Sequence, residues 1–190
     1  MFSKETYITR RAELKKLTES GLILIFGNND SPANYPANTY KFRQDSTFLY
    51  FFGWQRDGLV GVIDVDNDRE YFVGDEIDID DIVWYGSVTS VGEMAARAGV
   101  ARTAKMRELQ NIVDAAKSSG QEIHFLPPYR FDTKIQIMDL LGLHPAVQKE
   151  AASRKLIDAV VKLRSTKSEE EIAELERAAR IGYEMHTAAM

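Results

Sequence analysis

The side chains able to do chemistry are few, and they lie far apart along the 190 residues. There are three histidines and no cysteine, which removes disulfides, thiol nucleophiles and thiolate metal sites. His124 sits between Ile123 and Phe125 in a short apolar run, where a histidine is more often a core or sheet-edge residue than a metal ligand. His144 precedes Pro145 in a turn, and His186 falls two residues from Glu184, on a different helix face. No His-x-x-x-His pair exists, so a helical zinc site is excluded on spacing.

Asp64, Asp66 and Asp68 alternate as in a calcium loop. However, Arg69 stands where the chain-turning glycine must be, and Asp75 where a bidentate glutamate closes the shell, so a hairpin turn is expected instead. Asp75 to Asp81 could gather a cation, and a solvated helix start accounts for that run equally well. Neither a phosphate-cradling glycine loop nor a G-x-S-x-G elbow occurs. The catalytic inventory is close to empty.

The elements that would position these groups alternate between strand and helix. A helix is expected from Glu5 to Ser20, stopped by Gly21, and a strand buried on both faces from Leu22 to Phe26. The polar, proline-bearing segment from Asn28 to Lys41 reads as one long loop. Leu59–Val65 and Glu70–Val73 form a hairpin around Asp66-Asn67-Asp68. A short helix is expected over Asp75–Gly86, further helices over Ser90–Ala98, Thr103–Ser118 and Asp132–Leu141, and a strand over Glu122–Leu126. This order implies an α/β domain with a mixed β-sheet flanked by helices. The aromatics Phe48, Tyr50, Phe51, Phe52 and Trp54 read as core, whereas Trp84-Tyr85 beside Gly86 suits a surface that meets a ligand or another domain.

From Lys155 the pattern changes. Ser168 and Glu171 form a capping box, Glu169 to Glu171 fill the first turn, and Ile172, Leu175, Ala179 and Gly182 recur on one face. No stop signal precedes Met190, and nothing later can cover that face, so residues 165–190 are expected to be a linker and the first helix of a second domain. Residues 1–164 would be the α/β unit. A net charge of −5 and the lack of a basic stripe argue against nucleic acid or an anionic membrane as partner. Nothing resembles a signal peptide or a membrane span, so the cytoplasm is the expected location.

Three motifs, in order, resemble the amino-terminal domain of aminopeptidase P, within the creatinase, prolidase and methionine-aminopeptidase superfamily. Phe42-Arg43-Gln44-Asp45-Ser46-Thr47-Phe48-Leu49-Tyr50-Phe51-Phe52-Gly53 is similar to the family's YRQNSDFxYxTGF. Ile82-Val83-Trp84-Tyr85-Gly86 is similar to an IWFG stretch, and Leu163 to Ile172 to LRxxKSxEEI, which in the family opens the catalytic domain.

The resemblance implies an Xaa-Pro aminopeptidase parent that removes the residue preceding proline from a peptide. Two divalent metal ions, usually manganese, would sit in a carboxy-terminal "pita-bread" domain beyond this chain. The chain itself would hold no metal or cofactor and be inactive alone. Its role would be to cover the active site and help assemble a homo-oligomer. On that basis Trp84 would line the substrate pocket, with Asn38, Tyr40 and Arg43 as further lining candidates. A prolidase amino-terminal domain and a stand-alone binding or oligomerisation module are the alternatives.

Overall fold

The computed structural model describes residues 2–77, 83, 86 and 88–190. Helix α1 (Lys4–Thr18) is capped by Ser3, whose hydroxyl accepts the Thr6 N–H, and leads into β1 (Leu22–Phe26). Five apolar residues in succession suit an interior strand, and every position of β1 is buried. It pairs antiparallel with β4 (Val60–Asp64), which pairs antiparallel with β5 (Arg69–Val73). The sheet is completed by two parallel edge strands, β6 (Arg102–Ala104) beside β5 and β7 (Ile123–Phe125) beside β1. The resulting order is β6-β5-β4-β1-β7, the mixed sheet that the alternation of elements implies.

Period-two alternation divides β1 between two cores. Ile23 and Ile25 face Leu14 of α1, the rings of α2 (Ser46–Phe52), Met94 of α3 (Val91–Ala98) and Leu156 of α7 (Arg154–Ser165). Leu22, Leu24 and Phe26 face Val113 of α4 (Leu109–Ser118) and Ile137 of α5 (Phe131–Leu141). The aromatic cluster is core, as its composition suggests. Phe48 and Phe52 stack at 5.2 Å, and Phe72 meets both edge-on. Gly61 of β4 has to be glycine, because a Cβ there would fall 2.0 Å from the Phe52 ring.

Two expectations change. The segment 28–41 is not only loop: β2 (Pro32–Tyr35) and β3 (Asn38–Thr39) form a small antiparallel hairpin, braced by the Asn38 amide donating to Asn34 Oδ1 at 2.6 Å. The helix expected from Thr103 begins only at Leu109. Residues 102–104 are instead drawn into β6 by pairing with Tyr71 to Val73, and a 3₁₀ turn over Met106–Glu108 joins the two. For β6 the deciding partner is distant in sequence, where local periodicity cannot see it. Ser46–Phe52, a run of aromatics with strand-like composition, is helical because Asp45 caps it and Gly53 ends it with φ of 75°. The helix expected over Asp75–Gly86 falls largely outside the described residues.

Helix α6 (Gln148–Ala151) and α7 return the chain across α1, and α8 (Glu169–Ala189) follows after a bend. The expected capping box is present in α8, with Ser168 and Glu171 each accepting the other's backbone N–H. No residue of α8 is buried, and Ile172, Leu175, Ile181, Tyr183 and Met185 are all exposed. Among the described residues, no helix is long and apolar enough to cross a membrane.

Candidate functional site

Strands β1 and β7 run parallel, so their carboxyl ends open on one edge of the sheet. A crevice of about 40 Å³ lies there, lined in part by Phe26, Asn28, Asp45, Pro127 and Tyr129. Asp45, from the most specific sequence motif, lines it, and Gln44 lies buried beside it. The Oε1 of Gln44 accepts the N–H of Asn28 (2.6 Å) and of Asp45 (2.8 Å), while its amide donates to the Arg56 carbonyl (2.5 Å). The side-chain amide of Asn28 donates to the Arg43 carbonyl at 2.8 Å. Asp45 Oδ1 takes the Thr47 and Phe48 N–H groups at the start of α2, and its Oδ2 faces the Tyr129 hydroxyl at 3.2 Å.

The electrostatics of this rim favour neutral hydrogen bonding over acid–base work. Burial, together with the Asp45 carboxylate, pushes the Tyr129 hydroxyl up, so it keeps its proton; the Asn28 hydrogen bond opposes this in part. Asp30, in the same segment, is also pushed up by burial and by Asp57, with Arg130 working against the shift. The Arg130 guanidinium donates to the Asn29 carbonyl and pairs with Asp132 at 3.1 Å. Each side-chain polar group of Gln44 and Asn28 has a protein partner, so the network ties three loops together and offers little to a ligand.

Of the residues expected from sequence to line a pocket, Asn38 is exposed on β3 and bonded to Asn34, and Tyr40 is exposed just beyond it. The Arg43 side chain is also exposed, although its carbonyl is held by Asn28. None of the three lines the crevice, and Trp84 lies outside the described residues. Gln44, Asp45 and Asn28 escaped sequence reasoning as site residues. Asp45 ahead of Ser-Thr-Phe is a legible helix cap, but the partners of Gln44 are set only by the tertiary fold.

His124 is a core histidine, as expected. Its Nε2 donates to the Ser20 carbonyl (3.0 Å), leaving Nδ1 to accept the Ser153 hydroxyl (2.7 Å). The aspartates of the hairpin are also committed. Asp64 accepts from Asn67 and Gln121, Asp66 from the Gly21 N–H and Gln121, and Asp68 from Lys15. Among the described residues, no three His, Cys, Asp or Glu side chains stand together as a metal site.

A second polar centre lies under α1, where arginines that read as surface residues are buried. Arg11 is fully enclosed; it pairs with Glu70 at 2.8 Å and donates to the Phe51 and Gly99 carbonyls. Burial pulls its guanidinium down and Glu70 pulls it back up. Arg10 is held between the rings of Phe2 (4.9 Å), Tyr7 (5.8 Å) and Tyr50 (4.0 Å).

This is an α/β domain whose mixed sheet carries helices on both faces, with one further helix attached by its first turn. The chain belongs to the family of aminopeptidase P N-terminal domains, whose model matches residues 7–124. Solved structures of Escherichia coli aminopeptidase P share the fold. The low-pH form superposes with a TM-score of 0.78 at 22% identity, over 98% of this chain and 44% of that one. The Zn-substituted enzyme in complex with product gives 0.76 at 21%, with the same coverage. The chain thus spans less than half the length of these structures, and at this identity the likeness is one of fold. No curated protein matches the chain by sequence.

Proposed function

We propose that this chain is the non-catalytic amino-terminal domain of a metal-dependent Xaa-Pro aminopeptidase of the cytoplasm, and that residues 165–190 open the catalytic domain of that enzyme. The family match over residues 7–124 carries the reading. Supporting it, the motif that begins α8 is followed by a helix that buries none of its own apolar residues in the α/β unit. In the intact enzyme two divalent metal ions, manganese by the family resemblance, would activate the attacking water and polarise the scissile carbonyl. By the resemblance, their ligands would come from the downstream domain. The α/β unit would cover the active site and contribute to a homo-oligomer, with Trp84 lining the pocket for the proline-containing peptide.

The test compares the 190-residue chain with the product of its whole reading frame on an Xaa-Pro tripeptide and an Xaa-Pro dipeptide, with and without Mn²⁺. The expected result is metal-dependent release of the first residue by the whole product, and no turnover by the chain alone. Metal-dependent turnover by the chain alone, or a reading frame lacking a second domain, would overturn the proposal. Cleavage confined to the dipeptide would move the parent to prolidase. In the whole product, Trp84→Ala should raise KM more than it lowers kcat.

A further inference from the structure

The bend between α7 and α8 is built on few contacts. The Tyr50 hydroxyl donates to the Leu163 carbonyl at 3.0 Å, which fixes the last turn of α7. Beyond the bend, α8 meets the α/β unit through adjoining glutamates: Glu170 accepts the Thr6 hydroxyl at 2.9 Å, and Glu171 lies 3.2 Å from Arg10. Arg10 and Tyr50 are themselves joined, because Arg10 Nη1 donates to the Tyr50 carbonyl at 2.9 Å. One stacked arginine–tyrosine pair therefore touches the helices on both sides of the bend.

The pairing to Glu171 has a particular character. Arg10 is 7% exposed, yet its Nη2, which faces Glu171, makes no hydrogen bond among the described residues. A bidentate arginine–carboxylate fork would fix the angle of the helix. Here a single charge contact, beside the Glu170–Thr6 hydrogen bond, holds the first turn of α8 against the α/β unit. Both groups are shielded, at 8% and 16% side-chain exposure, so salt screens the contact less than it would a surface pair.

We propose that Arg10 is a positioning residue, the pivot that sets the direction of α8 relative to the α/β unit, and through α8 the direction of whatever is joined to it. The inference concerns residues of this chain alone and stands apart from any peptidase activity. Its failure therefore leaves the reading of the function untouched.

The absence of cysteine allows a direct test, since spin labels can be placed at introduced thiols without background. Asn111→Cys on α4 and Arg180→Cys on α8, both exposed, report the helix direction as a distance distribution by pulsed electron resonance; Asn111→Cys with Lys149→Cys is the internal control. Glu171→Gln removes the charge and keeps the capping-box acceptor. Arg10→Met removes the pivot, and Thr6→Val removes the neighbouring contact. The expected outcome is a single narrow Asn111–Arg180 distribution in the parent chain. It should shift and broaden in Glu171→Gln and further in Arg10→Met, but little in Thr6→Val, with the control pair unchanged in all. A parent distribution that is already broad would overturn the proposal, as would a Glu171→Gln distribution identical to the parent's. Should Arg10→Met fail to fold, Glu171→Gln decides the matter alone.

Discussion

Gln44 should be among the most costly positions to alter, although it touches no reacting group. Its three hydrogen bonds join the exit of β1 (Asn28), the cap of α2 (Asp45) and the strand approach at Arg56. Gln44→Ala strands a buried N–H at Asn28 and leaves partly buried groups at Asp45 and Arg56. An unsatisfied buried donor costs about 1–3 kcal/mol, and an ordinary lost hydrogen bond about 0.5–1.5. The sum is about 2–6 kcal/mol. For a chain of this size, 1 kcal/mol moves Tm by about 2–4 °C, so a fall of roughly 4–24 °C is expected by far-ultraviolet circular dichroism. Gln44→Met separates polarity from packing, because it restores most of the volume and none of the bonds. If the reasoning holds, Gln44→Met loses nearly as much as Gln44→Ala, and the Asn28 amide exchanges faster in both. A Gln44→Met variant within about 0.5 kcal/mol of the parent chain would show that Gln44 acts by filling space.

Other consequences can be measured on the same preparation. Arg11→Met should destabilise by about 3 kcal/mol, towards the lower end for a broken buried pair because Lys15 at 3.1 Å still partners Glu70. Arg11→Met/Glu70→Leu should lose less than the sum of the two single changes, and strict additivity in chemical denaturation would refute the coupling. The Lys15 hydrogen bond holds the Asp68 carboxyl below its ordinary range, and the Ser90 backbone N–H does the same for Glu93. Carboxyls depressed in the fold stabilise above their unfolded value of about 4, and that stability is lost as pH falls through the folded values. Denaturation midpoints should therefore drop in that acid window, less steeply in Asp68→Asn and Glu93→Gln; parallel profiles would contradict the assignment. Truncation after Thr166 should leave one cooperative transition shifted by no more than about 2 kcal/mol, since α8 contributes no buried residue. Loss of cooperativity would place α8 within this core.

Much of the fold could be read from local pattern because local physics produces it. Leu22 to Phe26 has no polar residue and must be enclosed on both faces, and the capping boxes at Ser90 and Ser168 announce their helices. The Asp-rich hairpin and the buried state of His124 followed from residue type and spacing. The motif around Gln44 is enough to point to a family, although its chemistry is not readable locally: a glutamine in a loop looks solvated until the chain brings Asn28 and Arg56 to it.

The sequence by itself determined the α/β class, the core strands, the family and the lack of any local catalytic signature. Only the tertiary structure decided that residues 102–104 form a strand, because a three-residue strand exists by virtue of its neighbour, Tyr71 to Val73. It alone decided that Asn38, Tyr40 and Arg43 stand off the crevice that Asn28, Asp45 and Tyr129 line. It alone buried Arg10 and Arg11, which any helix pattern assigns to solvent. A guanidinium enters a core only where carbonyls, rings and a carboxylate converge from distant segments, and Phe51, Gly99, Tyr50 and Glu70 meet on α1 only in the folded chain.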